Sequence, residues 1–307
     1  MDRQTLSNYG WIVIVVLILA VMLAFATPFG KYIGTGVSNL AMSMVGANDN
    51  AVDKNNIEQM GKDWHNYLNN IDPALNPDDG TTPVEGDVYV YEDYEYRYNQ
   101  YYNGDGITDF WSSNNSQNGW GVRCINNVAD PGPILESING EPITNMYKTF
   151  YRRTALTTAP TIPSSVINMG HTFQGCYNLS TYDGNSDSRG DFSGYVIPYG
   201  VTNMTGTFND TGLKIAPKIP NSVVNMNRTF YSCDELTTAS AIPNSVTNIN
   251  GTYSWCTGLT GTITIDVNPT YWTECLYKTN ITAVVGSTTM ADDIMLTKTS
   301  TVTNPTA

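Results

Sequence analysis

The chain has 307 residues with 15 basic and 28 acidic side chains, a formal net charge of −13. It therefore has no positive field to gather a phosphate backbone, which excludes nucleic acid as a partner. Only 14% of its residues are charged, and the abundance of Thr, Asn, Ser, Gly and Tyr describes a surface hydrated by hydroxyls and amides, as is common outside the cell.

Trp11 to Ala26 reads WIVIVVLILAVMLAFA without a charge. As a helix this run rises about 24 Å, a little short of a bilayer core of about 30 Å. Three readings are open for residues 1–30. The small-x-small triplet Ala24-Phe25-Ala26 fits a cleaved signal peptide. The run also fits an uncleaved anchor, or a pilin-like helix processed after Gly10, although Val15 stands where such helices usually carry Glu. All three place the remainder outside the cytoplasm, at the cell surface or secreted. In residues 31–75, Tyr32, Ile33, Val37, Leu40, Ala41, Met44 and Val45 recur at helical spacing, as do Ile57, Met60, Trp64, Tyr67 and Ile71, so amphipathic helices are expected. Residues 76–83 read as a linker.

From residue 84 the period changes to two. Val88 to Tyr91 and Tyr94 to Tyr98 alternate, and Asn103-Gly104-Asp105-Gly106 supplies turn chemistry before Trp111. Residues 84–142 are expected to form an antiparallel β cap covering the open edge of the array that begins at residue 143.

Residues 143–265 contain an internal repeat. Asn-Met-x-x-Thr-Phe occurs at Asn145–Phe150, Asn168–Phe173, Asn203–Phe208 and Asn225–Phe230, with a variant at Asn248–Tyr253. The aromatic position advances by 23, 35, 22 and 23 residues. A Leu lies five or six residues later, then Ile-Pro, and a Val three residues after each Pro. One such unit cannot bury its large apolar residues; stacked units can, so the period predicts a short solenoid of about five coils of roughly 23 residues, mainly β. The repeated Asn is expected to turn its amide to the backbone, and the Pro to set the corners. Residues 266–307 read as a C-terminal cap and tail.

Leu156-Thr-Thr-Ala-Pro160, Ile162-Pro163, Ser165-Val166, Asn168-Met169, Thr172-Phe173 and Cys176 together resemble the BspA-type leucine-rich repeat of bacterial surface proteins. The resemblance covers about Ile143 to Ile265. It implies a leucine-rich-repeat fold and a surface or secreted protein with a role in adhesion or host contact, and it brings no catalytic residues.

Five cysteines are too few for a disulfide scaffold, and the odd count leaves one unpaired. Cys176, Cys233 and Cys256 share a repeat position, so Cys233 and Cys256 should lie one coil apart, either as a disulfide or as a column of buried thiols. The two histidines, His65 and His171, fall in different regions and complete no zinc site. No nucleophile and base are set as a pair, and the chain reads as non-enzymatic, with no required cofactor.

The insertion after Tyr182 is the most irregular part of the array. Asp183, Asn185, Asp187 and Asp191 fit positions 1, 3, 5 and 9 of a calcium loop, although Ser188 stands where Gly is wanted and Gly194 where Glu belongs. The same segment carries Arg189-Gly190-Asp191, a tripeptide that integrins read on exposed turns. The leading expectation is a surface interaction protein whose partner is a protein or glycan on a host or neighbouring cell, held at the membrane by its N-terminal segment. The alternative is a structural subunit of a surface filament or layer, assembled through that segment.

Overall fold

Alternating Tyr, Val and polar residues form two strands, β1 (Val88–Tyr91) and β2 (Tyr94–Tyr98), which pair antiparallel across a turn where Glu92 takes a left-handed φ of 48°. This computed structural model describes residues 77–105, 108–114, 118–182, 197–265, 267–285 and 294–295, all within the unit His65–Ala307. The membrane-directed run, the amphipathic helices and the insert at 183–194 lie outside the described residues. Among those described, the regular elements are strands, and no helix is long and apolar enough to cross a membrane.

β5 (Trp120–Cys124) continues the sheet antiparallel to β2, and β7 (Glu141–Asn145) runs parallel to β5. β6 (Ser137–Ile138) closes the order β1-β2-β5-β7-β6. β3 (Gln100–Tyr102) and β4 (Trp111–Ser113) form a hairpin across the loop that begins Asn103-Gly104-Asp105. The two faces of β2 bury different chemistry. Tyr94, Tyr96 and Tyr98 enter the apolar core, where Tyr94 meets Phe150 edge-on at 6.1 Å and Tyr98 meets Trp120 at 5.3 Å. On the other face Glu95, 7% exposed, accepts hydrogen bonds from Arg97 Nε and Arg123 Nε, both at 2.8 Å. Arg97 lies over Trp111 and Arg123 over Tyr102, so the hairpin covers this charged layer. The tyrosines of β2 are thus packing residues. Residues 77–81 are tied to the β6–β7 turn, where Asn139 N–H donates to Pro77 O at 2.8 Å and Asn139 Nδ2 to Thr81 Oγ1 at 2.9 Å.

The repeats come directly after this sheet. Parallel bridges join Asn145 to Asn168, Asn168 to Asn203, Asn203 to Asn225, Asn225 to Asn248, and Asn248 to Tyr271. We number these coils 1 to 6. The sixth, Tyr271 to Thr279, carries Tyr for Asn, Trp for Met, Cys for Thr and Leu for Phe, which hid it from motif matching. Phe150, Phe173, Phe208, Phe230 and Tyr253 stack with centroids 5.2–5.6 Å apart and planes within 11° of parallel. The Met, Leu, Ile and Val columns are buried alongside them. Each Pro carbonyl accepts the N–H of the Val three residues on, at 3.0–3.2 Å, which makes the corner.

Hydrogen bonding between the coils departs from a simple stack of strands. Short parallel pairs exist, β8 (Thr158–Ala159) with β9 (Thr181–Tyr182) and β10 (Thr260–Thr264) with β11 (Asn280–Val285). The Asn-to-Cys segment of each coil is instead a run of tandem turns. In coil 1, Met146, Lys148, Phe150 and Arg152 donate N–H to Asn168, Gly170, Thr172 and Gln174 of coil 2. The intervening Thr149, Tyr151 and Arg153 donate back three residues within their own coil. Side chains consequently point inward in pairs and outward in pairs, a period of neither two nor 3.6.

Two polar columns reinforce this core. Thr149, Thr172, Thr207, Thr229 and Thr252 each donate a buried hydroxyl to a carbonyl of the preceding layer at 2.8 Å. Cys176, Cys233 and Cys256 donate Sγ–H to Phe150, Phe208 and Phe230 O at 3.0, 2.9 and 2.8 Å. Arg153 and Thr211 fill the column where Cys is missing, Arg153 bonding Cys124 O and Thr211 bonding Phe208 O. All five cysteines are buried free thiols, and no disulfide joins Cys233 to Cys256.

Candidate binding face

Each repeat Asn starts the run of turns with its own side chain. Asn145, Asn168, Asn203, Asn225 and Asn248 accept, on Oδ1, the N–H two residues later at 2.9–3.1 Å, a local turn that competes with extended backbone. Asn203 Nδ2 also reaches Asn168 Oδ1 at 3.0 Å. Two later positions then take positive φ in every coil. The third residue after Asn is Lys148, His171, Gly206, Arg228, Gly251 or Glu274, with φ of 52–59°. The seventh is Arg152, Gly175, Asp210, Ser232, Trp255 or Lys278, with φ of 56–76°. Non-glycine residues adopt this region at a cost of about 1–2 kcal/mol each. The regular inter-coil hydrogen bonds and the inward pairs on either side hold them there.

The outward pairs build one lateral face, which holds four of the cations, each over a tyrosine. Lys148 Nζ lies 5.6 Å from the Tyr147 ring and 5.3 Å from Tyr151; Arg152 is 5.3 Å from Tyr151, Arg228 5.5 Å from Tyr231, and Lys278 5.4 Å from Tyr277. A row of edge-to-face rings runs from Tyr101 through Tyr147 to His171, at 5.4 Å per step. Arg152 and Arg228 are exposed, and Trp255 is 42% exposed. Such cation–tyrosine pairs offer amphipathic, hydrogen-bonding surface at low entropic cost.

Along this face a groove of about 390 Å³ is lined by His171, Thr205, Asn227, Arg228, Asn250, Gly251, Thr273 and Glu274. Burial holds the His171 imidazole below its ordinary pKa, with Lys148 adding to the depression; a hydrogen bond from Nδ1 to Gln174 Oε1 opposes it. A second recess, lined mainly by Thr, Ala and Ile, lies against Thr237–Ala241 and Leu259–Thr264.

The residues singled out in the sequence fall differently. The repeat residues Asn145 to Tyr253 build the interior and the turn starts rather than the face. Asp183, Asn185, Asp187 and Asp191, and Arg189-Gly190-Asp191, lie outside the described residues, as does His65. Among the described residues no group of three or more His, Cys, Asp and Glu is placed to hold a metal ion. The residues of the face are the variable pairs between the anchors, Tyr147-Lys148, Asn227-Arg228 or Tyr151-Arg152, and the signal for them was the two-in, two-out spacing of Asn-Met-x-x-Thr-Phe-x-x-Cys.

No known family model matches the chain, and no curated protein does. Two solved structures are similar to it. One is the T. pallidum leucine-rich repeat protein, 21% identical over 55% of this chain and 76% of that one, with a TM-score of 0.41. The other is a leucine-rich repeat protein from Bacteroides ovatus, 20% identical over 60% of this chain and 56% of that one, with a TM-score of 0.32.

Proposed function

We propose that this chain is a non-enzymatic interaction protein of the cell surface or the secreted fraction, presenting the lateral face of a leucine-rich-repeat solenoid to a ligand on a host or neighbouring cell. The observation that carries the reading is the outward pair recurring in every coil. It places Tyr, Arg, Lys, His, Asn and Trp side by side on rigid backbone whose own hydrogen bonds are already made. A rigid scaffold with variable outward residues is suited to recognition, because little is ordered on binding. The apolar run Trp11 to Ala26 supports export, and the BspA-type resemblance supports a contact role.

The test is binding of the full chain to an array of glycans and matrix proteins. A ligand should be captured, and Tyr151→Ala combined with Arg152→Ala should weaken capture about tenfold at unchanged melting temperature. Capture indifferent to those substitutions and to Arg228→Ala sinks the reading.

A further inference from the structure

The groove from His171 to Glu274 crosses coils 2 to 6, with aromatic stacking steps of 5.4–5.6 Å beneath it as far as coil 5. His171 leans across Gly206, and the Arg228 stem leans across Gly251, where an added Cβ would meet Cγ at 3.2 Å. Beside these two long side chains the recess is lined by Thr205, Asn227, Asn250, Gly251, Thr273 and Glu274.

The chemistry of the lining restricts the occupant. The backbone here has no free edge: His171, Gly206, Arg228 and Gly251 N–H groups donate to Thr205, Asn227, Asn250 and Thr273 carbonyls of the next coil. An extended peptide therefore has no ladder to join, and the lining has no apolar pocket for an anchoring side chain. What the groove offers is side-chain amide, hydroxyl, guanidinium and carboxylate. The amides and hydroxyls both donate and accept, as sugar hydroxyls do. Arg228 and Glu274 carry opposite charges, so the lining sets one cation and one anion among its amides and hydroxyls. Tyr231, under Arg228, adds an aromatic edge at the rim.

We propose that this groove binds a neutral oligosaccharide lying along the array, with Asn227, Arg228, Asn250 and Glu274 bonding its hydroxyls. This rests on the reading of the lateral face as an interaction surface, and names its ligand class.

The experiment is calorimetric titration of the full chain with neutral tetra- to hexasaccharides of the cello-, xylo-, malto- and manno- series. At least one series should bind. Arg228→Ala and Asn227→Ala should each weaken it about tenfold, the worth of one charge-assisted or amide hydrogen bond. Lys218→Ala, exposed but outside the Asn-to-Cys turns that build the face, should leave it unchanged, and the affinity should move less than about twofold between low and high salt. The proposal is overturned if no series binds, if binding survives both groove substitutions, or if only anionic polysaccharides or acidic peptides bind with steep salt dependence. A ligand captured through Tyr151 and Arg152 while every neutral series fails would discard the oligosaccharide and leave the interaction face standing.

Discussion

The imidazole of His171 lies across Gly206 of the next coil, so close that a Cβ there would stand 2.5 Å from Nδ1. Gly206 also has a φ of 59°. Gly206→Ala should therefore lower stability by about 2–3 kcal/mol, from left-handed strain and the displaced ring. His171→Ala in the same chain should recover part of that loss, a coupling read from urea unfolding of the two single variants and the double.

The threonine column carries a hydroxyl-to-carbonyl bond at each junction. Thr229→Val keeps the shape and removes the donor to Met204 O, an acceptor that retains the N–H of Thr207. A loss of about 1 kcal/mol is expected by chemical denaturation. A neutral result would mean the column is packing alone.

Glu95 is the buried carboxylate between Arg97 and Arg123. Glu95→Gln leaves the two guanidinium groups in a covered layer with less compensation, and should cost about 3 kcal/mol. Near-ultraviolet circular dichroism of Trp111 and Tyr102, which lie against those cations, should change with it.

Burial pushes the thiols up, Cys124 to about 11 and Cys176 and Cys275 to about 12. At pH 8 a thiol-disulfide reagent should find no reactive cysteine in the folded chain and five after unfolding. Because the folded values of Cys124, Cys176 and Cys275 are raised, their contribution is complete below the unfolded thiol value of about 8.5 and is lost as pH rises through it toward the folded values. Melting temperature should fall at alkaline pH, and Cys176→Ser should blunt the fall.

Phe173 and Phe208 are 35 residues apart in the chain yet 5.5 Å apart as rings, against 5.6 Å for Phe208 and Phe230, which are 22 apart. The extra segment leaves the stack as regular as elsewhere. Deleting residues 183–194 should shift stability by no more than about 1 kcal/mol, since closure entropy depends weakly on loop length. A collapse of the melting transition would contradict this.

The aromatic, Leu, Ile-Pro and Val columns were legible because their burial repeats the same residue types. Coil 6 was not, since Trp272, Cys275 and Leu276 fill the same slots with different chemistry. The face was the least legible part. Its residues vary freely because they pack on nothing inside, and left-handed backbone at Lys148 or Arg152 carries no glycine signature. Strand geometry also gives way between Asn and Cys, where each Asn side chain captures the N–H two residues on and forms turns. Nothing in the sequence marked Glu95 and Arg123 as covered, and it is the β3–β4 hairpin that covers them.

In the tandem-turn segments the alternate N–H groups that follow each Asn point from one coil toward the next, from coil 1 to coil 6, whereas those at the corner before each Asn point back. Aligned peptide dipoles of this kind add, as they do along a helix, so these segments together form a polar ladder with carbonyls directed toward the first coil. The cap already occupies that end: Cys124 of β5 donates its N–H to Thr149 O. A second copy of this chain arriving head to tail finds that rung taken, so growth by ladder extension is closed at the N-terminal end of the array.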